Sequence, residues 1–191
     1  MRAAYDYGAD AVYAGSPRYS LRARNNEFAK LDVLEQGIKE AHERNKKFFL
    51  TVNTLPHNSK LKTFVSDMEP LIAMKPDALI MADPGLIMTV REKWPEMPIH
   101  LSVQANTTNY WGVKFWQNIG VERIILSREL SMEEIAEIRQ ECPDIELEVF
   151  IHGALCIAYS GRCLLSGYFN HRDPNQGTCT NSCRWDYKVH N

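Results

Sequence analysis

Six short apolar runs recur along this sequence at intervals of about 25 residues, and that rhythm restricts the fold more than any other feature. They cover residues 11–14, 48–52, 78–81, 99–103, 121–126 and 147–151. Each is bounded by turn-forming residues, and stretches with helical periodicity lie between them. Short strands alternating with helices specify parallel pairing, because each strand must be followed by a crossover before the next can align. No Gly-rich dinucleotide fingerprint follows any run, so a (β/α) barrel fits better than a doubly wound sheet. A closed barrel needs about eight strands. The expected fold is therefore α/β, an incomplete (β/α) TIM-like barrel with six visible parallel strands. Residues 1–153 form the partial barrel, and residues 154–191 form a cysteine-rich segment continuous with it.

The helices carry their own punctuation. Residues 2–7 read as the last turns of a helix stopped by Gly8, which predicts that the chain begins inside an element and lacks an earlier strand. Asp32 and Glu35 predict a capping box, as do Ser131 and Glu134. A helix is predicted from about Ser59, with Leu61, Phe64, Val65, Met68, Leu71 and Ile72 on one face. Asp83 followed by Pro84 predicts a helix start. The polar stretch over residues 16–28 carries three arginines and is either a solvated crossover or a cover over a ligand.

In a barrel, chemistry gathers where the strands end. Those positions hold Asn53, His57, Asp83, Gln104, Asn106, Arg128, Glu129 and His152. His152, Arg128 and Asp83 are the candidate catalytic residues. Arg18, Arg22, Asn53, Gln104 and Asn106 are the candidate substrate-binding residues, since guanidinium groups bind carboxylates bidentately. Each has a structural alternative. Asp83 is a good helix cap, Gln104 and Asn106 can satisfy loop backbone, Arg128 can pair with Glu129 at the rim, and His152 can be purely structural.

Cys156, Cys163, Cys179 and Cys183 crowd the segment that follows the sixth run. Six residues separate the first pair and three the second. No apolar run approaches the ~20 residues that span a bilayer, and the N-terminus lacks the apolar core of a signal peptide. The expected location is cytoplasmic, with no membrane partner, and reducing conditions favour a metal or redox role over disulfides. Four thiolates suit an iron–sulfur cluster, with zinc as the alternative: the second pair has structural-zinc spacing and the first does not. A nucleophilic-cysteine peptidase built on His152 and Cys156 is a reading of a different class. Cys142, at a helix end before Pro143, reads as a small buried side chain. The net charge of −2 advertises no global basic field for nucleic acid, and no feature specifies an oligomeric state.

The segment EVFIHGALCIAYSGRCLLS resembles the signature of the collagenase-like peptidase family U32, through Glu148, Phe150, Gly153, Ala154, Cys156, Gly161, Cys163 and Ser166. The stretches GADAVYAG, NNEF, PDALIMADPG, SVQANTTN and ILSREL are similar to the same family. DPNQGTCTNSCRW, with the second cysteine pair, resembles its tRNA-hydroxylating members. The resemblance implies a [4Fe-4S] cluster on Cys156, Cys163, Cys179 and Cys183. It also implies prephenate, a small carboxylate donor, as co-substrate, and oxygen-independent conversion of the tRNA wobble uridine to 5-hydroxyuridine. Peptidase activity and a zinc-stabilised or inactive module are the alternatives. Members of the family begin with a further strand and continue beyond the equivalent of Asn191, so this chain resembles a fragment of them.

Overall fold

The computed structural model describes residues 1–21, 23, 26–153, 156, 158 and 162–188. Six strands form one parallel sheet: β1 (Ala11–Gly15), β2 (Lys47–Val52), β3 (Ala78–Met81), β4 (Ile99–Leu101), β5 (Arg123–Ile125) and β6 (Glu146–Glu148). They lie in the order β1-β2-β3-β4-β5-β6 with no reversal, which is the sequence of a barrel wall and not of a doubly wound sheet. The architecture is a half-barrel. The helices are α1 (Arg2–Asp6), α2 (Leu31–Glu43), α3 (Asn58–Leu61), α4 (Phe64–Ala73), α5 (Pro84–Lys93), α6 (Tyr110–Asn118), α7 (Met132–Glu141) and α8 (Leu165–Asn170).

Alternation along each strand separates two faces. Phe48, Leu50, Val52, Leu79, Met81, Ile99, Leu101 and Ile124 point outward into the main core, where they meet Leu34 and Ile38 of α2, Met68 of α4 and Ile87 of α5. Phe49, Ala78, Ile80 and Ile125 form a second, smaller cluster on the inner face. The register Phe49↔Ala78, His100↔Arg123 and Arg123↔Glu146 brings an aromatic ring, an imidazole and an ion pair into that inner face. Arg123 lies 2.7 Å from Glu146 and 3.2 Å from Glu148, with its guanidinium 5.2 Å from the Phe49 ring centroid.

Several boundaries differ from expectation. Lys30, not Asp32, is the N-cap of α2, and it makes no side-chain capping bond. Phe28 packs edge-on against Phe48 and lies so close to Gly37 that an added Cβ would meet it at 2.5 Å. That packing starts the helix before Asp32, which is left in the first turn, where its charge still complements the dipole. The helix expected from Ser59 divides into α3 and α4, and Leu61 is exposed. The division falls at Thr63, whose hydroxyl donates to Asp67 at 2.8 Å, while Tyr19 OH and Arg18 converge on the same carboxylate at 2.7 and 2.8 Å. Burial alone would raise the pKa of Asp67, but the hydrogen bonds from Tyr19 and Thr63 and the charge of Arg18 hold it below the ordinary value.

β4 ends at Leu101, and Val103–Ala105 is a 3-10 turn closed by Asn106 at φ 54°. β6 ends at Glu148, short of the expected residue 151. Among the described residues only β5 pairs with it, and beyond Glu148 no ladder partner remains to extend it. The Ser131/Glu134 capping box is present in both directions, Asp83 caps α5 with Pro84 at its first position, and Gly8 takes φ 96° after α1.

Candidate functional site

The strands all point their C-terminal ends at one cavity of about 600 Å³. Its floor comes from the inner face: Thr51 of β2, Ile80 of β3, Ser102 after β4 and Ile125 of β5. Its wall comes from the strand-end loops, and its roof from the segment that carries the cysteines.

That roof is fastened to the barrel by contacts distant in sequence. Asn175 O accepts from Leu55 N at 3.3 Å, and Gln176 O accepts from Lys60 Nζ at 3.1 Å, while the Gln176 amide donates back to Leu55 O. Burial, aided by the charge of Arg18, lowers the pKa of Lys60 below its ordinary value. Asp173 and Pro174 start the 3-10 turn Pro174–Gln176, with the Asp173 carboxylate accepting from Asn175 N at 2.8 Å. Gly177 closes it at φ 95°, where a Cβ would meet Ser20 O at 2.8 Å. Only glycine permits both that backbone conformation and that approach.

A polar knot then ties the two halves of the roof together. Ser166 of α8 is buried and accepts from Thr180 N at 3.2 Å, and Asn170 Nδ2 donates to Thr180 Oγ1 at 3.1 Å and to Ser182 Oγ at 3.0 Å. Asn175 Nδ2 donates to Cys163 O at 3.3 Å. Cys163 and the turn that carries Cys179 and Cys183 are thereby held on one block. Asn181 turns the chain at φ 54° between Cys179 and Cys183, and the Cys179 thiol faces Asn181 Oδ1 at 3.8 Å.

All five cysteines are free thiols. Cys156, Cys163, Cys179 and Cys183 all line the cavity. Cys142 lies elsewhere, buried, with its thiol 3.7 Å from Tyr110 O and its pKa pushed up by burial. Among the described residues no three His, Cys, Asp or Glu side chains are gathered closely enough to enclose a metal ion. The four cavity thiols are a set of soft donors lining one partly closed space.

Of the residues singled out in the sequence, Asn53, Gln104, Arg128 and His152 line the cavity with the cysteines. Asn53 Oδ1 accepts from Leu21 N at 3.2 Å, which orients its amide. Gln104 Oε1 accepts from Ser102 Oγ at 3.3 Å, and its buried Nε2 has no hydrogen-bond partner among the described residues. Arg128 donates to Ala158 O at 3.3 Å and so bridges the β5 loop to the cysteine segment. Asp83 is not in the cavity wall, and its carboxylate accepts from Leu86 N at 2.9 Å as the cap of α5. Asn106 also stays out of the wall and accepts from Ser127 Oγ at 3.4 Å. Arg18 is turned to Asp67, and His57 is the exposed N-cap of α3. Arg22 and Gly161 lie outside the described residues.

The cavity wall also holds polar residues that were not singled out as site candidates, among them Asn26, Thr51 and Ser102. Asn26 Nδ2 donates to Gly15 O at 2.6 Å and pins the 16–28 stretch to the end of β1. Thr51 and Ser102 carried a readable signal, since they are polar residues at inner-face parity in or beside otherwise apolar strands.

The chain matches the sequence model of peptidase family U32 over residues 1–191. It is 70% identical over 189 residues to the tRNA hydroxylation protein P of Haemophilus influenzae, covering 99% of this chain and 41% of that protein. It is 36% identical over 188 residues to the 23S rRNA 5-hydroxycytidine C2501 synthase of Escherichia coli, covering 98% of this chain and 28% of that enzyme. The chain thus spans less than half the length of these relatives. Among solved structures, the U32 peptidase Mk0906 superposes with a TM-score of 0.61 at 16% identity, covering 74% of this chain and 60% of that one. That likeness shows the half-barrel fold.

Proposed function

The chain belongs to peptidase family U32, and on that premise we propose that it forms the cluster- and donor-binding part of a tRNA hydroxylase. The reaction assigned to it is oxygen-independent hydroxylation of the wobble uridine to 5-hydroxyuridine, with prephenate supplying the hydroxyl group. The observation that carries this reading is that four free thiols and the polar side chains of Asn53, Gln104 and Arg128 line one cavity at the strand ends. The names of the similar proteins, which hydroxylate tRNA or synthesise a hydroxylated cytidine in ribosomal RNA, support the choice of an RNA base as substrate.

Cys156, Cys163, Cys179 and Cys183 would hold a [4Fe-4S] cluster. The fit rests on the donor set and its shared cavity. A bound cluster supplies an electron-accepting centre and a Lewis-acidic iron. The remaining chemistry belongs to this chain. Arg128 offers a guanidinium to a carboxylate of the donor, and a bidentate contact fixes orientation as well as position. The amides of Asn53 and Gln104 offer donors and acceptors for hydroxyl and carbonyl groups. His152 stands in the cavity wall beside the cysteine segment, where an imidazole can take and return a proton at its ring nitrogens. The apolar floor at Ile80 and Ile125 excludes water from a bound ring.

The decisive experiment deletes the parent gene and measures 5-hydroxyuridine in bulk tRNA, with rescue by full-length protein and by Cys163→Ser. Loss of the nucleoside, rescue by the first and not by the second, together with about four irons per anaerobically purified protein, is the expected result. Unchanged 5-hydroxyuridine on deletion rejects the reading. A colourless protein holding zinc, or cleavage of a collagen-like peptide abolished by Cys156→Ala, moves it to one of the alternatives.

A further inference from the structure

Just beyond the cavity-lining residues Ser166 and Arg184, the chain presents aromatic rings to solvent. Tyr168 is 80% exposed, Phe169 42%, Trp185 47% and Tyr187 48%. Tyr168, Phe169 and Tyr187 form one cluster, and Trp185 lies two residues before Tyr187 in the chain. Phe169 and Tyr187 stack at 5.0 Å between centroids with planes 29° apart, and Tyr168 meets Phe169 edge-on at 5.0 Å. The Tyr187 ring is held from below, because its hydroxyl donates to Ser182 O at 2.6 Å. Ser182 in turn belongs to the buried knot with Asn170 and Thr180. Aromatic side chains fixed in this way lose little entropy when something stacks on them.

Charge separates the possible occupants. Residues 162–188 carry four basic side chains (Arg162, Arg172, Arg184 and Lys188) against Asp173 and Asp186, a net charge of +2. The rest of the chain therefore carries −4. A second exposed aromatic pair, Trp111 and Phe115 on α6, shows the contrast. It lies beside the acidic α7, and Lys114, over the Trp111 ring at 5.3 Å, is engaged by Glu141 at 2.9 Å. A polyanion is repelled there and attracted at the cysteine segment.

We propose that Tyr168, Phe169, Trp185 and Tyr187 form a stacking platform for unpaired bases of an RNA loop, with Arg172 and Lys188 contacting its phosphates, so that the target base enters the adjoining cavity. Platforms of exposed aromatics in a basic setting bind single strands through base faces and backbone charge, without needing to read sequence. The assignment deepens the reading of the chain as part of a tRNA hydroxylase and rests on it. A chemistry performed on a base edge requires that base to leave its stack, and a platform at the cavity mouth compensates the neighbours for the stacking they lose.

The test uses the full-length protein and an anticodon stem-loop RNA, with a fully paired hairpin stem of equal length as control, followed by fluorescence anisotropy. Tyr168→Ala should weaken stem-loop binding by about tenfold, and Tyr168→Trp should restore it. Iron content should remain that of the unmodified protein. Arg172→Gln should weaken binding and lower the salt slope by about one. Binding of the paired stem should change little with the aromatic substitution. If the protein binds and hydroxylates the stem-loop while Tyr168→Ala and Trp185→Ala bind as tightly as the parent, the platform falls and the hydroxylase reading stands. If the unmodified protein does not bind the stem-loop, both fall. If Tyr168→Ala converts a sedimenting dimer to monomer without changing RNA affinity, the surface belongs to a second copy and the platform is overturned.

Discussion

His100 is a titratable side chain on the inner face of the sheet, 5% exposed, with its ring 4.6 Å from that of Phe49 and Nδ1 lacking a hydrogen-bond partner among the described residues. Burial, reinforced by the positive charge of Arg123, lowers its pKa to about 4. A histidine whose folded pKa lies below its unfolded value of about 6.5 destabilises the fold as it charges. The unfolded chain binds more protons between those two values, so stability is full above pH 6.5 and falls as pH drops towards 4. The shift corresponds to about 3 kcal/mol. Urea unfolding at pH 7 and at pH 4.5 should therefore show a steep loss in the native chain and a shallower one in His100→Gln. Equal pH dependence in both would assign the acid sensitivity elsewhere. Glu146 acts in the same direction: the hydrogen bond from Arg123 lowers its pKa, so the stability this pair confers is present above the carboxylate range and lost below it.

At the scale of single elements, two small motifs carry measurable weight. The capping box of α7 satisfies two backbone donors with side chains three positions apart, Ser131 and Glu134. Ser131→Ala should cost about 1 kcal/mol in chemical denaturation, with little effect on iron content or RNA binding. Gly177 serves another purpose. It lets the roof approach Ser20 O in a left-handed backbone, so Gly177→Ala should strain that contact by about 1–3 kcal/mol. The strain falls on the attachment of the roof and not on the barrel wall. Faster proteolysis within residues 165–188, with the main unfolding transition almost unmoved, is the expected signature. A variant as resistant as the parent would show that Asn175 and Gln176 suffice to hold the roof.

For the whole molecule, the four cavity thiols and the fifth, buried one should behave differently. In the anaerobic, iron-free protein a maleimide should label Cys156, Cys163, Cys179 and Cys183 and leave Cys142 unmodified until the fold is opened. Reconstitution with iron and sulfide should protect all four together. Protection of only the Cys179/Cys183 pair would favour a smaller metal site.

Much of this molecule was readable in one dimension. Parallel pairing follows from apolar runs separated by helical stretches, and the caps at Asp83 and Ser131 follow from residue chemistry that acts within a single turn. The grouping of four thiols on a segment leaving the sixth strand was also legible. Asn53, Gln104, Arg128 and His152 could be nominated because a barrel gathers its strand ends, whatever the intervening helices contain. What stayed hidden depends on partners far away in sequence. The break between α3 and α4 is made by Tyr19 and Arg18 converging on Asp67, and α2 starts early because Phe28 packs on Phe48 and Gly37. Periodicity cannot register either interaction. Asp83 and Asn106 sit at strand ends as expected, yet their side chains turn to local backbone and Ser127 instead of the cavity. Residue pattern alone was enough for the half-barrel and for the soft-donor chemistry of the cysteine segment, since both are properties of local pattern and residue type. Only the tertiary structure decided which strand-end residues share a cavity with the cysteines, and that Lys60, Leu55 and Ser20 hold the roof over it. Those choices depend on contacts between segments more than a hundred residues apart, which no local pattern encodes.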